Sequence, residues 1–251
     1  MTSKHDDFFV GYLPMSGRQR VFAILAAVGL VLIMGGSAAL AAYSQTEPAP
    51  GAEAEVNGVR LRGLLSADPY GVLLMVDPDE DRVRTVLLSK TGKRGSGVRL
   101  AEPKPVEVKG LLLERDGGLF LELRGKPKAV TLAPDVAARL EAYQRESLGT
   151  LELRGEVTDS KCWHGRMRPG GGRAHRACAQ LCISGGIPPV LVTRNERNET
   201  RRYLLMDSAG NDVRESILPY VAEPVRVTGE VLRWADIWIV KVDPATGIER
   251  L

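Results

Sequence analysis

An internal repeat of short β-type segments constrains this chain more than any other feature. Leu61-Arg62-Gly63 recurs as Leu153-Arg154-Gly155 at an offset of 92, and Val106-Glu-Val-Lys-Gly110 recurs as Val225-Arg-Val-Thr-Gly229 at an offset of 119. Between them, Val72-Leu-Leu-Met-Val76 with Val86-Leu-Leu88 matches Val190-Leu-Val192 with Leu204-Leu-Met206 at an offset of 118. The offset therefore jumps between the first and second strands, which places an insertion of 26 residues there in the second copy. Period-two alternation in Leu119-Phe-Leu-Glu-Leu123 and Val225-Arg-Val-Thr228 gives the sheets one buried and one wetter face. Asp77-Pro78, Asp116-Gly117-Gly118 and Ala209-Gly-Asn211 supply turns. Five or so strands per copy predict a mainly β protein with two tandem, small OB-like β-barrels, over residues 55–133 and 148–251. Pro134–Glu146 reads as a helix, placing a connector over 134–147 with Val136, Leu140 and Tyr143 on its packing face.

Ahead of the repeat, residues 21–42 carry no charge and at about 1.5 Å per residue cross a hydrocarbon core of roughly 30 Å. Lys4, Arg18 and Arg20 precede this run and no Lys or Arg follows until Arg60. The positive-inside bias then puts a tail of residues 1–20 in the cytoplasm and everything after the span outside. A cleaved signal peptide is the alternative, with Ala39-Leu40-Ala41 as its processing site. The aromatic segment His5–Met15 suits either docking on another membrane subunit or a belt in the lipid headgroups. Residues 43–54, rich in Pro, Ala and Glu, read as an extended linker.

All three cysteines lie in the inserted stretch, taken as residues 159–188: Asp159-Ser-Lys-Cys162-Trp-His164 and His175-Arg-Ala-Cys178-Ala-Gln-Leu-Cys182. If 174–183 is helical, His175, Cys178 and Cys182 share one face at i, i+3 and i+7, and Cys162 on the preceding loop completes a four-ligand site. The glycine-rich loop up to Arg173 delivers the chain to that helix, and Gly185-Gly-Ile-Pro-Pro189 stops it. Arg173, Arg176 and Lys161, together with the helix N-terminus, are expected to favour thiolate at Cys178.

Three chemistries suit these residues. Three thiolates and an imidazole hold Zn(II) or Cu(I), with Met167 or His164 able to replace His175 in a copper site. A thiol–disulfide oxidoreductase would use Cys178 and Cys182. A scaffold would join Cys162 to Cys178 or Cys182 in a structural disulfide, as an oxidising exterior allows. No haem-attachment motif, P-loop, paired carboxylate or nucleophile elbow is present, although Asp159 and Asp207 remain candidate acids or bases. A formal charge of +3 and 5 % aromatics argue against a nucleic-acid partner.

In its G-x-V-x-D-x-x-C segment, its H-x2-C-x3-C segment and the small-residue turn before a strand, the region 150–245 resembles a group of bacterial exported and membrane-anchored proteins. That resemblance implies an exported bacterial setting and a small β domain, and it supplies no activity. The combined expectation is a single-pass protein of the cytoplasmic (inner) membrane with its β domains in the periplasm and a zinc or copper site of Cys162, His175, Cys178 and Cys182. Beyond the lipid bilayer, its expected partner is a membrane respiratory complex or another integral subunit. Its role would be that of a metal carrier or an accessory subunit, with catalysis the less favoured reading.

Overall fold

The computed structural model describes residues 16–44, 52–197 and 199–251. The segment His5–Met15 and the middle of the expected linker lie outside them. Helix α1 (Gly17–Ser44) forms a unit by itself, 28 residues long with none buried and a mean hydropathy of 2.4 over its most apolar window. That length and composition suit a membrane span, or a signal sequence at this place in the chain. It begins earlier than the apolar run because Ser16 and Gln19 cap it reciprocally. The Ser16 amide donates to Gln19 Oε1 at 3.0 Å and the Gln19 amide to Ser16 Oγ at 3.4 Å.

The second unit is mainly β. Its first half contains β1 (Ala54–Ser66), β2 (Val72–Val76), β3 (Val83–Lys90), the two-residue β4 (Arg94–Gly95), β5 (Lys104–Arg115), β6 (Gly118–Leu123) and the short β7 (Lys128–Ala129). Five of these close into a barrel in the order β1-β2-β3-β6-β5 and back to β1, with β3 and β6 parallel. Helix α2 (Pro134–Glu141) follows. The second half contains β8 (Glu146–Asp159), helix α3 (Arg176–Ser184), β9 (Pro189–Arg194), β10 (Thr200–Asp207), the one-turn α4 (Arg214–Ile217), β11 (Pro224–Trp234), β12 (Ile237–Val242) and β13 (Ile248–Arg250). It closes in the same order, β8-β9-β10-β12-β11 and back to β8, again with one parallel pair, β10 and β12.

The repeated glycines show how closely the barrels correspond. A Cβ on Gly63 would strike the Leu74 carbonyl, and one on Gly155 the Val192 carbonyl; Gly110 and Gly229 meet the carbonyls of Glu122 and Lys241 in the same way. Each glycine lets one strand cross tightly over its neighbour, which a small closed barrel requires. The halves differ in the connection between their first two strands, which spans five residues (67–71) in the first and twenty-nine (160–188) in the second.

Three apolar clusters follow from strand alternation. Leu73, Val86, Leu88, Val108 and Leu121 fill the first barrel, and Val157, Leu191, Leu205, Val227 and Val240 fill the second. The opposite faces of the same strands, with Leu74, Leu87, Phe120, Val190, Leu204 and Ile239, pack the barrels against each other. Strands buried on both faces need apolar residues at every position, hence the unbroken Val72-Leu-Leu-Met-Val76. Helix α2 ends at Glu141, short of the expected 147, because Glu146 already pairs with Arg233 as the start of β8. Leu140 is buried in the inter-barrel cluster with Val136 beside it, whereas Tyr143 lies beyond the helix with its side chain exposed.

Gly229→Ala is expected to destabilise the protein by about 2 kcal/mol or more, since the new methyl meets backbone rather than a movable side chain. The urea midpoint measures it, and an unchanged midpoint would show that the strand crossing has slack.

Candidate metal and thiol site

The site begins where β8 ends. Asp159 is fully buried, and its carboxylate divides its two oxygens between two jobs. Oδ1 accepts the Cys162 backbone N–H at 2.8 Å, holding the tight turn Cys162–Arg166, while Oδ2 lies 2.9 Å from His175 Nε2. A 3-10 turn, Arg173–His175, precedes α3, so His175 stands before the helix rather than on it. Cys178 and Cys182 lie one turn apart on α3, and with Ile187 they enclose the Cys162 side chain.

The three sulfurs lie within 4.8 Å of one another, and all three thiols are free. The ligand atoms of Asp159, Cys162 and His175 likewise lie within 4.8 Å of one another, and this second group shares Cys162 with the first. The four expected ligands therefore fall into two overlapping sets. Cys162, Cys178 and Cys182 form one cluster, and His175 reaches it only by way of Cys162, with Asp159 on its ring. Asp159 emerges as the residue that orients both His175 and the Cys162 turn. Its position three residues before Cys162, as in an N-cap, was the legible signal.

Lys93 was missed by sequence reasoning. It sits on the turn between β3 and β4, and its ammonium donates to Cys178 Sγ at 2.9 Å, with Cys182 Sγ at 3.9 Å. The hydrogen bond to Cys178 raises the Lys93 pKa against the opposing effect of burial. The expected cations are engaged elsewhere. Lys161 is 3 % exposed and pairs with Glu122, and it also donates to the Lys90 and Gly92 carbonyls at 2.9 and 2.8 Å. Arg173 and Arg176 both face Glu223, at 3.9 and 2.5 Å. Their side chains pair with the Glu223 carboxylate, just ahead of β11.

Within the cluster Cys162 and Cys182 behave as one protonic pair. The hydrogen bond between them raises Cys162 and lowers Cys182, with burial and the Asp159 charge adding to the rise at Cys162. Of the two, Cys182 is the sulfur that ionises first, with Cys162 keeping its proton and donating toward it.

His164 stands apart from the sulfurs. Its Nδ1 lies 2.5 Å from the Ser160 carbonyl, so that nitrogen donates, and the ring packs against Phe120 with centroids 5.5 Å apart. Burial, aided by the Arg202 charge, lowers its pKa from 6.5 to about 3. Met167 is exposed, and the Asp207 carboxylate is occupied by Asn211 in a turn, so neither joins the site. No family model, curated protein or solved structure matches the chain.

Cys162→Ala removes the S–H donor, so the Cys182 thiol is expected to ionise at higher pH in an ultraviolet thiolate titration of the metal-free protein; an unmoved curve would sever the pair. For His164, the unfolded chain takes up a proton below about pH 6.5 while the folded protein does not until about 3. Stability should therefore fall as pH drops through that window, by up to about 1.4 kcal/mol per pH unit. His164→Gln should remove that part of the slope in urea titrations at stepped pH.

Proposed function

We propose that this chain is an exported, membrane-anchored protein in which a β-barrel of OB type carries a thiolate metal site for Zn(II) or Cu(I). The observation that carries the reading is the convergence of three free sulfurs within 4.8 Å on rigid elements. Cys178 and Cys182 come from one helix turn, and Cys162 is held by the buried Asp159 carboxylate. Soft sulfur donors select these two metals. Zinc binding to all three sulfurs would deprotonate Cys162, releasing its proton, and the Lys93 ammonium would offset the thiolate charge. His175 or Asp159, next to Cys162, supplies the fourth donor that zinc requires.

The strand order with its parallel closure supports the OB assignment for both barrels. The long connection between the first and second strands of the second barrel, read as an insertion into a duplicated unit, lies where OB folds carry binding residues. The uncharged run 21–42 of α1, with Lys4, Arg18 and Arg20 before it and no Lys or Arg after it until Arg60, supports an anchor in the cytoplasmic membrane with the barrels in the periplasm. The role that fits is a metal carrier or an accessory subunit of a membrane respiratory or redox assembly.

A thiol oxidoreductase is the second reading, favoured by one feature: Cys178 is the most accessible of the three sulfurs and lies against Lys93, with Cys162 and Cys182 buried behind it. Mass spectrometry of the chain purified without a metal-affinity tag, with a thiol count, separates the two. About one zinc or copper per chain is expected, lost in Cys178→Ser and in Cys182→Ser and kept in His164→Gln. A metal-free protein that turns over a dithiol would replace the metal reading with the redox one.

A further inference from the structure

The two barrels close one mouth differently. In the second, the connection from the third to the fourth barrel strand (208–223) contains α4 and buries Val213, Ile217 and Val221 completely or nearly so in the barrel interior. In the first, the equivalent connection (91–103) has no helix and brings only the half-buried Val98 and Leu100 against the core. A cleft of about 640 Å³ remains there, its floor formed by Leu65, Val106 and Leu123 at the end of the barrel core. That size is ordinary for a small-ligand site, within roughly 300–1,000 Å³.

The rim of this cleft has a single sign. Lys90, Arg94, Arg99, Lys104 and Lys126 line it, no carboxylate does, and none of the five pairs with a carboxylate among the described residues. An apolar floor inside a cationic rim is complementary to a molecule with a hydrocarbon tail and an anionic head. We propose that the open mouth of the first barrel binds a single-chain anionic amphiphile, a long-chain carboxylate. Its tail would replace the plug that Val213, Ile217 and Val221 provide in the second barrel, and its head would meet Arg99, Lys104 and Lys126. A neutral alcohol of the same length would forfeit the rim, and inorganic phosphate the floor. No cysteine lines the cleft; it shares with the sulfur site only the turn between β3 and β4 that carries Lys93, so variants at Lys104 and Lys126, off that turn, separate failure of one site from failure of the other.

The test uses the full chain in zwitterionic phosphatidylcholine nanodiscs with a dodecanoate probe that carries a photoreactive diazirine at its tail. After illumination, the label is expected to concentrate on residues 61–66, 96–106 and 121–129, and excess dodecanoate should suppress it while dodecanol does not. The double variant Lys104→Glu/Lys126→Glu, at two exposed side chains, should lower labelling about tenfold. Label spread evenly over the chain, equal competition by dodecanol, or full labelling of the double variant would each overturn the proposal.

Discussion

The ammonium of Lys161 and the carboxylate of Glu122, buried to 3 % and 1 % exposure, hold the site-bearing loop of the second barrel against the first. Burial is the largest single effect and would push the Glu122 pKa up; the hydrogen bond and charge of Lys161, together with Arg166 and Arg124, outweigh it and keep the acid below its ordinary range. Lys161 spends its remaining donors on the Lys90 and Gly92 carbonyls, on the turn that carries Lys93. The pair therefore brings Lys93 to the sulfurs, although neither member touches a cysteine. A buried pair of this kind adds little net stability over a well-packed apolar alternative. Loss of Glu122 would strand the buried ammonium, at a cost of about 3–5 kcal/mol, whereas loss of Lys161 would leave Glu122 with the partly exposed Arg166 at 3.4 Å. Its contribution lies in register: one arrangement of the two barrels satisfies both charges.

Around that anchor the interface is built from surplus sheet faces. Each barrel fills its interior with alternate residues of its strands, and the outward residues of β2, β3, β9 and β10 have a second apolar surface to meet. Polar links cross at the edges of this contact. Tyr70 donates to the Leu205 carbonyl at 3.0 Å and accepts the Val213 amide, and Asp236 accepts both the backbone N–H and the hydroxyl of Thr85. Arg115 stacks on Trp163 at 3.8 Å and donates to the Trp163 carbonyl, fixing the turn just after Cys162. The cysteine loop is thus clamped by the first barrel at two places, Lys161 and Trp163, on either side of the first sulfur.

The sequence made the strands and the site unequally legible. Gly63, Gly155, Gly110 and Gly229 recur because the same backbone crossing excludes a Cβ in each barrel, so a physical constraint left a readable mark. The shift in offset marked the long connection for the same reason. Helical spacing joined Cys178 to Cys182, whereas His175 stands on a 3-10 turn ahead of the helix, where its imidazole meets the Asp159 carboxylate beside Cys162. Lys93 and Lys161 were beyond reach. Both are exchanges across the barrel interface, where the cation nearest in sequence to the sulfurs goes to a distant acid and a distant cation takes its place. No local period encodes such a swap.

Charge counting then orders the two candidate metals. Three thiolates around Zn(II), with a neutral His175 as fourth donor, leave one net negative charge, which the single ammonium of Lys93 balances at 2.9 Å from Cys178. Around Cu(I) they leave two, so a second cation or a protonated sulfur is needed, and the nearby Arg173 and Arg176 are already committed to Glu223. Cys162 is the sulfur suited to stay protonated, since its thiol is the one pushed up by Cys182, by burial and by Asp159. A two-thiolate Cu(I) site on Cys178 and Cys182 with Cys162 as an S–H neighbour, and a three-thiolate zinc site with all three ionised, thus make different use of one sulfur. The proton on Cys162 distinguishes them, and it is held by the same Asp159 environment that aims the residue at the cluster.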